Sequence, residues 1–322
     1  MAPSAKWLPD GKRLHLQHGP SDLIVYAEGA QDAAYEAAVA RFQTVIEEVT
    51  RELSFLKSEV LPRSVSPRGK IARRMFFAAV QFAEEGYITP MIAVAGAIAD
   101  EILEAMTTAA CLKRAYVNNG GDIALYLTSG TSFETLMAGV DGRALGRLKL
   151  SEASGIGGIA TSGRHGRSLS RGIADSVTVL APSAALADAS ATMVANAVDL
   201  KGHPAITRRA ANDVKDDSDL GALPVVTGCG ALSVSEKTRA ERARGPLRPK
   251  QLGSNTTVAS TDAVAQYRHT KAKETMWKHP SASEPSTKSF CLRIIPKMRA
   301  SHVQDQFCLR IIHEVQASIH KQ

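Results

Sequence analysis

Aromatic residues and long apolar runs are both scarce in this sequence. Only 5% of the 322 residues are aromatic, so we expect a core built from Ala, Val, Ile and Leu. No apolar run approaches the roughly 20 residues that a membrane-crossing helix needs. The first 16 residues also lack the apolar centre of a secretory signal peptide. These absences predict a cytoplasmic protein that does not span a membrane.

Cysteine pairs with metal-binding spacing are also lacking. The four cysteines are Cys111, Cys229, Cys291 and Cys308, and no two of them are two or three residues apart. This spacing argues against a zinc knuckle. In a cytosolic chain, free thiols are the expected state of such residues.

Positive charge is lacking in the main body of the chain, although the net charge of the whole is +7. Residues 237–322 contain 16 Lys and Arg against 6 Asp and Glu, a net charge of +10, while residues 1–236 have a net charge of −3. The basic segment has few aromatic residues for stacking on bases, which argues against a nucleic-acid partner.

The same boundary divides the chain into two expected parts, a folded domain over 1–236 and a basic, poorly structured extension over 237–322. The extension contains a duplication, because Phe290–Ile295 recurs as Phe307–Ile312. Two interpretations stay open. The copies are either a pair of small interaction segments, or part of a tail translated past a shifted reading frame, and the low local hydrophobicity favours the tail.

Hydrophobic periodicity predicts a mixture of hairpins and helices. Strands are expected at 13–18 and 22–28, around a turn at Gly19-Pro20-Ser21, and again at 114–118, 123–128, 147–150, 157–161, 175–181 and 223–226. Helices are expected at 33–56 with Asp32 as N-cap, at 71–84, at about 90–106 after Thr89, and from Ser183 to about 198. This order of elements predicts an α+β fold rather than a doubly wound parallel sheet.

Asn118-Asn119-Gly120-Gly121-Asp122 lies between two expected strands and is a strong tight-turn signal. One interpretation is a hairpin turn alone. The other is that the bare N–H groups of the glycines meet a ligand, with Asn119 or Asp122 hydrogen-bonded to it.

A second candidate is the loop that begins Thr161-Ser162-Gly163-Arg164-His165-Gly166-Arg167-Ser168. Hydroxyl groups, glycines and guanidinium groups suit a phosphate, because arginine makes bidentate charge-assisted bonds and glycine permits close approach. The loop lacks P-loop spacing. A solvated loop is the alternative interpretation, particularly for His165 and Arg171.

The third candidate is the pair Asp188 and Thr192, four residues apart on an expected helix of small residues. Side chains at i and i+4 share a helix face. A carboxylate and a hydroxyl are hard ligands that favour Mg²⁺ over zinc. The alternative is a solvated aspartate beside a threonine that bonds to its own backbone.

Taken in order, four motifs resemble those of ApbE-like proteins, which are FAD:protein FMN transferases. The motifs are Asn118–Asp122, Ala160-Thr161-Ser162-Gly163, Ser176-Val177-Thr178-Val179 and Ala187-Asp188-Ala189-Ser190-Ala191-Thr192. The chain is most similar to the uncharacterised, shorter cytosolic branch of the family, over roughly residues 10–235.

The resemblance implies an ApbE-type, T-fold-related α+β fold, with mixed or antiparallel sheets and packed helices. It also implies FAD binding, Mg²⁺ on the pyrophosphate, and transfer of FMN to a Ser or Thr of an acceptor protein with release of AMP. Asp188 and Thr192 would bind the metal, with a backbone carbonyl near Val94 as a further ligand. The candidates for flavin binding are Asn119, Gly120, Gly121, Asp122, Thr161, Ser162, Gly163 and Arg164.

The sequence departs from the transferases at two places. It has Ala95-Gly96 where they have Lys-Gly, and Arg164 to Asp175 replaces their His…Asp-Pro-x-Thr-Gly loop. The metal pair is therefore retained while part of the nucleotide and acceptor machinery is replaced, and no catalytic residue can be assigned. A non-catalytic module of the same fold, binding a flavin nucleotide or another protein, is the alternative to a transferase.

Overall fold

The computed structural model describes residues 2–138 and 144–242, together with four short strands beyond them. The described chain is a mixed α+β structure whose paired strands are antiparallel, so the predicted fold class is confirmed. The strands are β1 (Ser4–Trp7), β2 (Arg13–His18), β3 (Ser21–Gly29), β4 (Leu112–Asn119), β5 (Asp122–Leu127), β6 (Ser132–Ala138), β7 (Ala144–Ser151), β8 (Gly158–Ser162), β9 (Val177–Ala181), β10 (Ile206–Ala210), β11 (Pro224–Cys229), β12 (Thr257–Ser260), β13 (Gln266–Tyr267), β14 (Met276–Lys278) and β15 (Arg293–Pro296).

A nine-stranded sheet organises the molecule, in the order β1-β2-β3-β4-β5-β8-β9-β12-β13. A four-stranded sheet has the order β14-β7-β6-β15, and β10 pairs with β11 alone. The predicted hairpin of β2 and β3 is confirmed, as is the hairpin of β4 and β5 around Gly120 and Gly121. Within residues 2–242, the strands β1, β6 and β10 were not predicted from the sequence, and neither were the four short strands beyond them.

The α-helices are α1 (Gln31–Phe42), α2 (Val45–Arg51), α3 (Leu53–Leu56), α4 (Lys70–Val80), α5 (Val94–Ala109), α6 (Ala184–Ala197), α7 (Ala211–Val214) and α8 (Val234–Arg242), with 3-10 turns at Pro90–Ala93 and Glu152–Ser154. Of the helices in the described part of the chain, none combines the length and the apolar character needed to cross a bilayer.

The single helix predicted over 33–56 is wrong, because the segment forms three helices. The first break follows Phe42, where the guanidinium of Arg41 bonds the Thr44 hydroxyl and the Glu48 carboxylate. Asp32 does not cap the segment, since α1 begins one residue earlier and Ala30 occupies the N-cap without a side-chain bond. Periodicity alone does not reveal such a break, because both sides of it continue the same apolar stripe.

Apolar side chains fill both faces of the main sheet. On one face, α1, α4 and α5 enclose the largest core, whose fully buried members include Phe42, Met75, Ile102 and Met106. On the other face, Tyr26 and Tyr116 stack with their ring centroids 5.5 Å apart and pack with residues of β6 and β7. The sheet is thus covered by helices on one side and by a second sheet on the other.

Helix α5 is anchored to its neighbours by a buried carboxylate. Glu101 is 2% exposed and forms ion pairs of 3.0 Å with each of Arg41 from α1, and Lys70 and Arg74 from α4. Buried charges are tolerated when they are paired in this way. The network fixes the outer side of α5, and the opposite side is left to pack against α6.

The C-terminal prediction lies largely outside the described residues. Within them, Ser233 and Glu236 form a capping box at the start of α8, in which the Ser233 N–H donates to Glu236 at 2.7 Å and the Glu236 N–H donates to Ser233 at 3.3 Å. Of the duplicated segment, only part of the first copy lies in a described strand, β15, and the second copy lies outside. The division at residues 236 and 237 stays a prediction.

Candidate functional site

Helix α6 carries the predicted metal pair, and its sequence explains how it is held. The hydroxyl of Ser183 accepts the N–H of Leu186 at 3.3 Å, so the predicted N-cap is confirmed. The buried residues Ala187, Ala191 and Val194 pack one face of the helix against β8 and β9. Asp188 and Thr192 are each partly exposed, and their spacing puts them together on another face.

The side chain of Asp188, on α6, contacts the N-terminal turn of α5. Its Oδ2 accepts the N–H of Gly96 at 3.0 Å, and the backbone of Ala95 also hydrogen-bonds to it. Gly96 permits this approach, because a Cβ there would overlap the Ala184 carbonyl group. Val94, near which a backbone carbonyl was predicted as a further ligand, is the first residue of α5.

Asp122 is close enough to Asp188 for its charge to act on the pKa of Asp188. Burial raises the pKa of Asp122 to about 7, against the lowering effects of the Arg167 charge and of a hydrogen bond from the Thr161 backbone. Burial also raises the pKa of Asp188 well above its ordinary value, and the Asp122 charge raises it further. Both carboxyl groups therefore resist ionisation, Asp122 because of burial and Asp188 because of burial and the Asp122 charge, and a bound cation would relieve that cost.

Asp122 owes its position to the glycine turn. Gly120 and Gly121 have φ of 65° and 116°, values that favour glycine, and the Gly121 N–H donates to the Asn118 side chain at 2.8 Å. Asn119 is 2% exposed, and its amide donates to the Ala95 carbonyl at 3.1 Å. Asn119 therefore ties the turn to the N-terminus of α5 rather than facing solvent.

Strand β8 brings two of the predicted hydroxyls to the same region. The Thr192 hydroxyl donates to Ser162 at 3.1 Å. Thr161 and Thr178 share a hydrogen bond of 2.8 Å between neighbouring strands. Ser162 is thus the hydroxyl that contacts Thr192 of the predicted metal pair, while the side chain of Thr161 is engaged within the sheet.

In the basic loop after β8, one part is held by an ion pair and another part is exposed to solvent. At its base, Gly163 has φ of 152°, and the Arg164 side chain forms a 2.6 Å ion pair with Asp175, which His165 also contacts at 3.2 Å. Arg164 therefore braces the loop. Arg167 is exposed and reaches Gly120, where any side chain would overlap its guanidinium. Arg167 was part of the predicted basic loop, and only the fold shows that it lies over the glycine turn.

The donor atoms fit a hard cation. Within residues 2–138 and 144–242, no group of three or more His, Cys, Asp or Glu side chains is arranged to hold a metal. A cation here would instead meet two carboxylates, a threonine hydroxyl and backbone or water oxygens. Oxygen donors with few protein carboxylates are typical of Mg²⁺, which keeps several waters and binds substrate phosphates.

A separate cavity of about 660 Å³ lies at the C-terminal end of α6. Its lining includes Asp199, Lys201, His203 and Arg239, and none of the predicted site residues contributes to it. The cavity therefore gives no support to the predicted site.

Comparison with known proteins agrees with the motifs. A family model described as "AbpE bacteria" matches residues 5–260. A UPF0280 protein of Methanothrix thermoacetophila is 40% identical over 133 residues, which are 40% of this chain and 52% of the relative. UPF0280 protein MK0206 of Methanopyrus kandleri is 31% identical over 193 residues, 59% of this chain and 76% of the relative.

A third relative, UPF0280 protein MJ1526 of Methanocaldococcus jannaschii, is 40% identical over 114 residues, 34% of this chain and 45% of the relative. The chain thus spans about half the length of several of the relatives that it matches. The family model nevertheless covers most of the chain, and the Methanopyrus match covers three quarters of that protein. The chain belongs to the ApbE-like family, in its UPF0280 branch.

Proposed function

We propose that this protein binds a flavin nucleotide together with Mg²⁺ and transfers FMN from FAD to a Ser or Thr of an acceptor protein. The observation that carries the proposal is that the fold brings the turn before Asp122 and the Asp188 carboxylate to the same end of α5, where Asn119 donates to the Ala95 carbonyl and Asp188 accepts the Gly96 N–H. The pKa values of both carboxyl groups are raised there. Two neighbouring carboxylates in a partly buried site are costly without a cation. Their cost is explained if the site holds one in its working state.

The residues of the site have different proposed roles, which follow from the chemistry of their side chains. Asp122, Asp188 and Thr192 would hold Mg²⁺, which when bound neutralises charge on the FAD pyrophosphate. The exposed Arg167 supplies a second positive charge over Gly120, suited to a phosphate oxygen. At Gly121 the turn leaves open space for the ligand, since nothing lies within 4 Å of the position that a Cβ would take.

In the proposed reaction, the acceptor hydroxyl forms a bond to the FMN phosphorus while the pyrophosphate bond to AMP breaks. AMP leaves with the electron pair, and the hydroxyl proton passes to solvent or to a base that is not assigned to a residue. The exposed guanidinium of Arg167 is placed to stabilise the developing charge, which is the kind of stabilisation that contributes most in such reactions.

A second candidate function is a non-catalytic module that binds a flavin nucleotide or another protein. It is favoured by the loop from Gly163 to Asp175, which differs from the transferase loop and is pinned at its base by the Arg164–Asp175 ion pair. A braced loop of this kind suits retention of a ligand more than the entry of an acceptor chain.

The test is a titration of the purified protein with FAD, with and without Mg²⁺, followed by measurement of released AMP by chromatography. We expect FAD binding that requires Mg²⁺, and loss of that binding in Asp188→Ala but not in Asp216→Ala, a change at an exposed aspartate outside the site. AMP release supports the transferase. Mg²⁺-dependent binding without AMP release, also when a protein mixture that supplies acceptor Ser and Thr hydroxyls is added, supports the module. Absence of FAD binding in the unaltered protein contradicts both candidates.

A further inference from the structure

Helices α5 and α6 cap each other's N-termini. Asp100 of α5 accepts the N–H of Ala184 on Oδ1 and the N–H of Ala185 on Oδ2, at 2.9 Å each. Asp188 of α6 accepts the N–H of Gly96 in the first turn of α5. The first N–H groups of a helix have no partner within it, so each aspartate satisfies donors of the other helix.

The exchange also balances charge between the two helices. A helix N-terminus carries a partial positive charge, and a carboxylate near it is stabilising. Here two N-termini are packed together through Gly96 and Ala184, where no side chain beyond hydrogen fits at Gly96. Each positive helix end is capped by a carboxylate from the other helix. A change in one capping aspartate therefore alters the position of the other.

The position of Asp188 therefore depends on Asp100. Asp188 follows the capped residues Ala184 and Ala185 by about one helical turn, so the first turn of α6 sets where its carboxylate lies. That carboxylate uses lone pairs for the α5 N–H groups and retains others, because two carboxylate oxygens offer about four acceptor sites. Neighbours that orient a metal-binding carboxylate in this way commonly tune metal affinity.

We propose that Asp100 is a positioning residue for the cation site, which acts by fixing the first turn of α6 so that Asp188 faces Asp122 and Thr192. This inference rests on the proposed function. Asp100 does not touch the cation; it acts through the backbone of Ala184 and Ala185.

The test compares two changes at the same helix end. Asp100→Asn keeps one acceptor oxygen but places an amide NH₂ group opposite a backbone N–H. Ser183→Ala removes the other side-chain cap of α6, the bond to the Leu186 N–H, and leaves Asp100 unchanged. Both variants lose an N-cap interaction, so both are expected to lower the melting temperature of protein treated with EDTA.

Binding of Mn²⁺ alone, measured by electron paramagnetic resonance, separates the two roles. We expect Asp100→Asn to weaken Mn²⁺ binding about 10-fold, and Ser183→Ala to change it less than about 2-fold. If Asp100→Asn does not fold, Asp100→Ser, which keeps a hydroxyl acceptor, is measured in its place with the same expectation.

Two results would overturn the inference, and a third would overturn the proposed function on which it rests. Equal losses of Mn²⁺ affinity in both variants would mean that Asp100 only stabilises the helix. Unchanged affinity in the Asp100 variant would mean that it has no positioning role, even though the site binds metal. Failure of the unaltered protein to bind Mn²⁺ would instead contradict the proposed function, on which the inference depends.

Discussion

Replacing Glu101 by glutamine is expected to destabilise the protein strongly, whereas the same change at Glu104 is not. The two glutamates lie on α5 and share cationic partners, but Glu101 is 2% exposed and Glu104 is 45% exposed. Glu101→Gln leaves Arg41, Lys70 and Arg74 facing a neutral amide, and each keeps only a more exposed carboxylate, Glu48 or Glu104. Removing one partner from a buried ion pair costs about 3–5 kcal/mol.

The lower end of that range applies, because the cationic partners of Glu101 keep some contact with water at 19%, 47% and 27% exposure. At about 2–4 °C per kcal/mol for a domain of this size, we expect Glu101→Gln to lower the melting temperature by roughly 6–12 °C. Glu104→Gln breaks only solvent-exposed pairs and should cost about 1 kcal/mol or less. Differential scanning calorimetry of both variants at pH 7 measures the contrast.

The stability that Glu101 contributes also depends on pH, and the direction of that dependence follows from its pKa. Burial raises the pKa of Glu101, but hydrogen bonds from Arg41, Lys70 and Arg74 outweigh burial, and the net pKa is lowered from 4.5. A carboxyl whose folded-state pKa is lowered stabilises the protein above its unfolded pKa, and that contribution is lost as the pH falls through the folded value. The difference in melting temperature between the unaltered protein and Glu101→Gln should therefore become smaller below about pH 4. Equal melting temperatures for the two variants at pH 7, or a deficit that grows in acid, would refute the reasoning.

Two further changes test the site itself. Gly96→Val would place a Cβ 2.5 Å from the carbonyl carbon of Ala184, so we expect α5 to separate from α6. The variant should have a lower melting temperature and should not bind Mn²⁺. An unchanged melting temperature together with unchanged Mn²⁺ binding would mean that close packing at Gly96 is not required. Arg167→Ala should weaken Mg²⁺-dependent FAD binding by about 10-fold or more, which is the effect of losing one charge-assisted hydrogen bond. Binding of Mn²⁺ alone should be as strong as in the unaltered protein, or stronger. An unchanged FAD titration would exclude Arg167 from the ligand site.

Local signals in the sequence predicted the hairpins and the helix that carries the site. The Asn-Gly-Gly turn between β4 and β5 and the serine cap of α6 depend on residues only a few positions apart. The break after Phe42 depends instead on where the Arg41 side chain goes, which includes Glu101, sixty residues away. Propensity and periodicity carry no information about such partners.

The site was only partly predictable for the same reason. Asp188 and Thr192 share a helix face by spacing alone, and their resemblance to the family motif identified them. Asp122 was expected to line the flavin site, and its proximity to Asp188 follows from the sheet order that places β5 beside β8 and from the packing of α6 against β8. The caps exchanged by Asp100 and Asp188 join residues that are far apart in sequence and are visible only in the folded chain.

The location of a bound cation tests the central claim most directly. Crystals grown with MnCl₂ and FAD, measured at the manganese absorption edge, would reveal the metal by anomalous scattering. We predict one peak within about 2.2 Å of carboxylate oxygens of Asp122 and Asp188 and of the Thr192 hydroxyl, next to the FAD pyrophosphate. FAD bound elsewhere, or a manganese peak away from this pair of aspartates, would contradict the account.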